Sequence, residues 1–294
     1  MATTITKLFS TGILQSSVLF DEITYSSVKI SPSGIYAAQF DEINLAAGTA
    51  ERKTNTGTYL VSGYFDEVSG PVNSNGLSVN FDATNRYSYN GTGTTWHNLA
   101  NNGVDINAVG GVNWANTYTG AFTFDGTGYF PNINISTLGS ATTATIEMWA
   151  NIPASAFSGG GMPVGFSTYD VWINNGLGFN TFASDLYGIS NAQITSLGLA
   201  GNWKHYVFVM NTGSYTSNQM WINGANQSLS QQAGTINAPS CVFGSPQYIQ
   251  VPGHSGATNY LIPMTVGLVR AYNRQLSPAE ILDNFNSNRS VYGV

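Results

Sequence analysis

The chain has 294 residues, enough to bury a sizeable core, and 42% of them are hydrophobic, which excludes a disordered chain. Charged residues make up only 8%, against roughly 25% in an ordinary domain, and 9 Lys+Arg against 15 Asp+Glu leave a net charge of −6. No basic cluster exists to neutralise phosphates, which excludes nucleic acid as a partner, and no apolar run is long enough to span a bilayer, which excludes membrane insertion by a helix.

The opening, Met1 to Gln15, lacks the apolar core of a secretory signal, so the Asn-x-Ser/Thr triplets at Asn90, Asn134, Asn226 and Asn288 have little weight as glycosylation sites. Residues 1–75 repeat themselves. Gly12-Ile13-Leu14 leads to Phe20-Asp21-Glu22-Ile23, Gly34-Ile35-Tyr36 to Phe40-Asp41-Glu42-Ile43, and Gly57-Thr58-Tyr59 to Phe65-Asp66-Glu67-Val68. Each unit reads as a turn and two short strands, too small to bury its own apolar face. The repeats are therefore expected to form an anchoring and assembly region through Phe20, Phe40 and Phe65, making a homo-oligomer, a trimer on the pattern of fibres. Identical acids in three tandem places read as turn acids or ion-pair partners of Lys7, Lys29, Arg52 or Lys53. A metal or catalytic reading is weaker, since one unit offers too few oxygens for calcium.

Gly70 to Gly76 is a linker, and the sandwich domain is expected over 76–294. Strands are predicted at 77–81, 120–124, 144–152, 170–173, 177–182, 203–210, 219–222, 248–251 and 265–272, separated by Asn/Gly/Thr turns, which favours an all-β sandwich. Trp203 to Gly224 is its central hairpin. Trp203, His205, Val207 and Val209 lie on one face, and Lys204, Tyr206, Phe208 and Met210 on the other. Cys241, the only cysteine, excludes an intrachain disulfide and sits beside Val242 and Phe243 as a buried small hydrophobe. One helix is predicted near the end, with Ser277 as N-cap, Pro278 in the first turn, Glu280 closing a capping box, and Ile281, Leu282 and Phe285 as the buried stripe.

Several stretches together resemble the laminin G-like, concanavalin A-like jelly rolls. They are L-S-V-N-F-D-A-T-N-R-Y-S-Y-N-G-T-G-T-T-W-H-N-L-A at 77–100, F-T-F-D-G-T-G-Y-F at 122–130, T-I-E-M-W-A at 145–150, N-W-K-H-Y-V-F-V with W-I-N-G, and V-G-L-V-R-A-Y-N-R-Q-L-S-P-A-E-I at 266–281. The likeness covers about residues 77–288. Ile262-Pro263-Met264 departs from the glycine-rich, often acidic segment the family has there, which weakens any transferred metal site. Residues 1–75, through M-A-T-T-I-T-K-L-F-S-T-G-I-L-Q and the F-D-E-[IV] repeats, are similar to the amino-terminal regions of virion structural proteins of tailed bacteriophages, notably cyanophages.

Glycosidases share the jelly roll, but they usually need two carboxyls about 5–9.5 Å apart. Glu147 has Trp149 and Asn151 after it on the same face, and the acids of 76–294 are scattered, so no enzyme is expected and Glu147 is expected to meet a polar partner at the sheet surface. His97, His205 and His254 have no ligand spacing. A rim calcium among Asp105, Asp125, Asp170 and Asp185 is the minor alternative to turn-holding aspartates, and no other cofactor is implied. A carbohydrate platform is the better reading. Its candidates are Trp96 and Trp114 with Asn98 and Asn113, and further afield Tyr118, Tyr169, Trp172, Asn101 and Asn116, set against the alternative that these aromatics plug the sandwich ends. The expected function is a non-enzymatic virion structural protein, anchored through 1–75 to other virion proteins or sister subunits, with the jelly roll displayed as a decoration or adhesin. A glycan-binding receptor-recognition module of a fibre is the alternative, and a glycan hydrolase ranks below both.

Overall fold

The computed structural model describes the strands of residues 17–67 by their backbone, and residues 73–294 apart from 101–102, 116–119, 136–137, 182–183, 214 and 236–240. The chain divides into two compact units, Met1–Val72 and Asn73–Val294, the division falling within the Gly-Pro-Asn stretch at 70–76.

The first unit is built of short strands: β1 (Ser17–Leu19), β2 (Ile23–Tyr25), β3 (Val28–Pro32), β4 (Ala37–Gln39), β5 (Glu42–Ala46), β6 (Thr49–Thr54), β7 (Gly57–Val61) and β8 (Gly63–Glu67). They pair as three small antiparallel sheets, β1-β4, β2-β3-β8 and β5-β6-β7. Of the proposed assembly residues, Phe20, Asp21, Glu22, Phe40 and Asp41 lie outside the described residues. Glu42 opens β5, and Phe65, Asp66 and Glu67 end β8. The register sets Glu42 opposite Lys53 and Asp66 opposite Lys29. Of the two readings given for the repeat acids, these hold strand positions and not turns, and they face two of the lysines named as ion-pair partners, where opposite charges favour a pairing.

The second unit is an all-β, antiparallel jelly-roll sandwich with a short carboxy-terminal helix. Its first strands are β9 (Leu77–Asp82), β10 (Thr95–Trp96), β11 (Ile106–Asn107), β12 (Val112–Ala115), β13 (Ala121–Asp125), β14 (Phe130–Asn134) and β15 (Thr143–Asn151). The middle holds β16 (Gly161–Gly165), β17 (Asp170–Ile173), β18 (Gly176–Asn180) and β19 (Leu186–Ser190). The last are β20 (Trp203–Asn211), β21 (Gln219–Ile222), β22 (Ala225–Asn226), β23 (Ser230–Ala233), β24 (Tyr248–Val251) and β25 (Pro263–Tyr272). One sheet of eight strands runs β12-β13-β25-β15-β20-β21-β22, with β9 also on β25, and the other of seven runs β14-β24-β16-β17-β18-β19-β23. Ile262 and Met264 are buried and Pro263 pairs with Asp125, so the segment that departs from the family pattern is the start of a core strand.

Alternation along each strand builds the core. Tyr206, Phe208 and Met210 of β20 and Ile146, Met148 and Ala150 of β15 meet Val171, Ile173, Phe179 and Ile249 of the opposite sheet. The other face of the eight-stranded sheet is apolar too because a third layer covers it. Helix α3 (Pro278–Asn288) begins with the predicted capping box, Ser277 with Glu280, and lays Ile281 and Phe285 against Val207, Trp221, Trp149 and Leu268. Burying two such side chains contributes about 3–6 kcal/mol. Leu282, expected in the buried stripe, is 46% exposed, and Asn284 and Asn288 take buried positions instead. Two helices were not foreseen: α1 (Ala154–Gly159) and α2 (Asn191–Ser196), the latter with its own capping box between Ser190 and Gln193.

Candidate functional site

Beneath α3, the outer face of the eight-stranded sheet holds a buried polar network. Arg270 on β25 donates from Nη1 to Glu147 Oε1 at 2.9 Å, from Nε to Asn80 Oδ1 at 3.2 Å, and from both terminal nitrogens to Asn288 Oδ1 at 3.4 Å. Asn284 of the helix donates to Glu147 Oε2 at 2.6 Å, and His205 Nε2 lies 3.2 Å from Glu147 Oε1. Glu147, His205 and Arg270 are at most 1% exposed. Burial raises the Glu147 carboxyl, but the Arg270 charge, His205 and Asn284 outweigh it and hold it at about 2. Glu147 does meet polar partners, as its sequence context implied, but it is sealed from solvent and not at the surface. A carboxylate so enclosed and so strongly paired is a structural group.

The four residues put forward as a sugar platform do not form one. Trp96 is fully buried, with its ring 4.7 Å from Phe122 and 5.2 Å from both Phe81 and Phe130, so it fills the sandwich end and has no face to offer a ligand. Asn98 spends its amide on the chain: Oδ1 accepts from the backbone of Asn80 and Ala100, and Nδ2 donates to Ser78. Trp114 is half-buried against Tyr89, ring centroids 5.3 Å apart, and Asn113 is exposed on β12. Tyr169 is fully buried. Tyr118, Asn101 and Asn116 lie outside the described residues. The rim aspartates hold local structure: Asp105 accepts from His97 and the Asn98 backbone, Asp125 from Thr127, and Asp185 from Thr181. Among the described residues no three His, Cys, Asp or Glu side chains converge as a metal site.

The outer face of the seven-stranded sheet is different. On β17, Val171 and Ile173 point into the core, which turns Asp170 and Trp172 outward. The register sets Asp170 opposite Asn180 of β18 on one side and Gly165 of β16 on the other, and Gly165 opposite Gln250 of β24. One step along, Trp172 faces Gly178, which faces Gly188 of β19, so the tryptophan stands beside a strip without side chains. The segment 252–261 folds back over this face. It is pinned to β16 by Gly253 N to Met162 O at 2.7 Å, Met162 N to Tyr260 O at 2.9 Å and Ser255 N to Gly165 O at 3.2 Å. A Cβ on Gly165 would stand 2.3 Å from that of Asp170 and 3.1 Å from that of His254, so only glycine lets the segment lie this close.

Between the segment and the sheet lies a cleft of about 130 Å³, lined by Met162, Trp172, Asn180, Ser184, His254 and Tyr260. Trp172 is half-buried, and Tyr260 is exposed with its ring 5.6 Å from His254. Behind the lining, Asn180 Nδ2 donates to Asp170 Oδ1 at 3.2 Å and Oδ2 at 3.0 Å. Burial pushes the Asp170 carboxyl up; the bonds from Asn180 offset part of this, the nearby Asp185 adds to it, and the value reached is about 8. Burial also holds the His254 imidazole below its usual value. At neutral pH the cleft is therefore an uncharged, hydrogen-bonding pocket with an aromatic wall. Of its lining only Trp172 was a candidate from sequence. Asn180, His254 and Tyr260 are joined to it by register and by a long returning segment. The one local signal is D-V-W-I, whose alternation turns Asp170 and Trp172 to a common face.

No protein-family model matches the chain, and no curated protein is similar to it. Among solved structures it is similar to Trypanosoma rangeli sialidase in complex with sialic acid, at 14% identity over 90% of this chain and 51% of that one, with a TM-score of 0.50. It is also similar to the receptor-binding domain of botulinum neurotoxin C/D mosaic serotype, at 13% identity over 72% and 51% with a TM-score of 0.48. A further match is the binding domain of botulinum neurotoxin DC in complex with rat synaptotagmin II, at 14% over 72% and 52%, TM-score 0.48. The chain spans about half the length of these structures. At such identity the likeness is one of fold alone.

Proposed function

We propose that the sandwich recognises carbohydrate without acting on it, at the cleft between the seven-stranded sheet and the segment 252–261. The observation behind this reading is the pairing of a half-exposed indole, Trp172, with a buried amide, Asn180, and an imidazole held neutral, His254, in one cleft. Sugar rings bring an apolar face and directional hydroxyls, and this lining matches both. Hydrolysis by the common two-carboxyl route would need a pair of acids flanking the scissile bond; the lining contains none, Asp170 is tied up by Asn180 and Glu147 is enclosed under α3. The reading needs no metal or other cofactor. A glycan array probed with the full-length chain tests it: reproducible binding without release of reducing sugar is expected, and silence across the array overturns it.

The second half of the reading concerns placement. The first unit would serve as the assembly element, joining sister chains as a homo-oligomer, with a trimer as the first form to test, or docking on other virion proteins. The sandwich would then be displayed at the virion surface. Its support is the run of small sheets, among them a two-stranded pair of the kind that is marginal by itself in water, together with the resemblance of residues 1–75 to phage virion proteins. Light scattering on the full chain and on residues 76–294 separates the outcomes. Assembly confined to the full chain agrees with the reading, and an assembling fragment moves the contact into the sandwich.

A further inference from the structure

Asn180 is 3% exposed and faces the cleft, yet only one end of its amide is used. Nδ2 lies between the two Asp170 oxygens, while Oδ1 is buried with no hydrogen-bond partner among the described residues. Buried polar atoms in folded proteins are almost always bonded, because losing water without gaining a partner is unfavourable. The two bonds to Asp170 fix the amide, so Oδ1 cannot turn away to find another donor. Asn180 lines the cleft, so the donor that completes this fixed, dehydrated acceptor comes from a ligand that the lining shifts to admit, since Oδ1 itself has no exposed area.

The charges around it narrow the ligand further. The lining residues include no Lys or Arg, and the segment 252–261 contributes His254 and Tyr260 and no cation. From the sheet the nearest ionisable group is Asp170 itself, with Asp185 beyond it. A carboxylated ligand would bring negative charge into a low-dielectric site that holds no cation to pair it. A neutral ring pays no such penalty, and its apolar face can lie on Trp172 over the strip at Gly178 and Gly188.

We propose that this cleft is a subsite for one neutral sugar ring, a ring hydroxyl donating to Asn180 Oδ1 while the apolar ring face stacks on Trp172, and that it discriminates against carboxylated sugars. The proposal rests on the carbohydrate reading above and adds the ligand class and the contact atoms.

The full-length chain is applied to an array of matched glycans, each neutral oligosaccharide beside the same chain ending in sialic or uronic acid. The strongest neutral hit is then titrated against wild type, Asn180→Ala and Trp172→Ala, with thermal midpoints measured alongside. Neutral glycans are expected to bind and their carboxylated partners to bind tenfold or more weakly. Each substitution should weaken the neutral hit at least tenfold. Trp172 is half-exposed, so Trp172→Ala keeps the test decisive should Asn180→Ala fail to fold. Equal binding of carboxylated partners, lost in the same variants, would overturn the neutral class. Neutral binding that survives both substitutions leaves carbohydrate recognition standing but overturns this subsite. No binding to any glycan removes the carbohydrate reading and the subsite with it.

Discussion

On the outer face of the eight-stranded sheet, Glu147 is enclosed by α3 and faces Arg270, His205 and Asn284; on the outer face of the seven-stranded sheet, Asp170 is equally buried but faces only an amide, beside an open cleft. The first carboxyl is held at about 2 and the second is pushed up to about 8. Both begin from the same burial, which disfavours the charged form. The difference lies in what else the fold supplies. Under α3 it supplies a guanidinium and closes the lid, and the network satisfies most of its own atoms. At the cleft it supplies no cation, leaves an acceptor unpaired and keeps an aromatic wall accessible. A structural polar cluster is complete in itself, whereas a recognition cluster awaits a partner.

The largest break in this comparison comes from removing the charge at Glu147. Glu147→Gln leaves the Arg270 guanidinium buried without its carboxylate, which costs about 3–5 kcal/mol for pairs of this kind. Urea unfolding should show the loss, and replacing both partners by apolar residues of similar volume should recover most of it. A neutral Glu147→Gln would mean that water reaches the pair and that α3 does not seal it.

The two faces should also titrate in opposite senses. Glu147 is depressed in the fold, so its contribution is present above its unfolded value near 4.5 and is lost as pH falls toward about 2. Asp170 is raised, so the folded chain keeps a proton that the unfolded chain releases, and stability declines as pH rises from about 4 to about 8. Asp82, raised by burial, acts in the same sense as Asp170. Maximum stability is therefore expected on the acid side of neutrality. Asp170→Asn should flatten the alkaline limb and stabilise the protein at pH 8 by about 2–4 kcal/mol. Unfolding free energies from pH 3 to 9 check both limbs, and an unchanged slope in Asp170→Asn would remove the asymmetry between the faces.

Much of the sandwich was written locally in the chain. Trp203–Met210 and Gln219–Ile222 alternate cleanly, and their strand and hairpin follow from that alternation. Ser277-Pro278-Ala279-Glu280 specifies a helix start whatever lies around it. The capping box at Ser190 and Gln193 was equally readable, but a two-turn helix with Ile194 as its one buried residue has no apolar stripe to draw attention. What the local pattern could not reveal was which layer covers which face. Val207 and Phe208 are both apolar and both buried, one under α3 and the other in the main core. The two alternatives for Trp96 could not be separated for the same reason, since an indole in a loop-rich stretch looks alike whether it plugs the sandwich, as Trp96 does, or lines its surface. The cleft depends on β16, β17 and β18 standing in register and on 252–261 returning across them, contacts that span about ninety residues of sequence.

A smaller effect tests the main core beside its outer layer. Ile222 fills the space between the sheets, and Val207 lies under α3. Ile222→Ala should cost about 2–4 kcal/mol and Val207→Ala about 1–3 kcal/mol, through lost burial and the cavity left behind. If Val207→Ala were free while Ile222→Ala was not, α3 would be a loosely held cover and not a third layer, and the contrast between sealed and open faces would weaken.

The smallest expected effect reads the orientation of that cover directly. Ile281 and Leu282 are neighbours on α3, and a helix places successive residues about 100° apart, so both cannot face the sheet equally. Ile281 is fully buried in the cluster with Val207, Trp221 and Tyr272, whereas Leu282 is 46% exposed. Leu282 also keeps its helix-forming character when truncated, since alanine is at least as favourable there. Leu282→Ala should therefore change stability by no more than about 0.5 kcal/mol, while Ile281→Ala, which empties a packed site, should cost about 2–5 kcal/mol. The ratio is independent of the absolute stability of the chain, because both substitutions sit on one helix and remove apolar atoms from adjacent positions. Equal losses would require the helix to be rotated from its placement, which would lift Asn284 and Asn288 away from Glu147 and Arg270. The Glu147 face would then be open to water like the cleft.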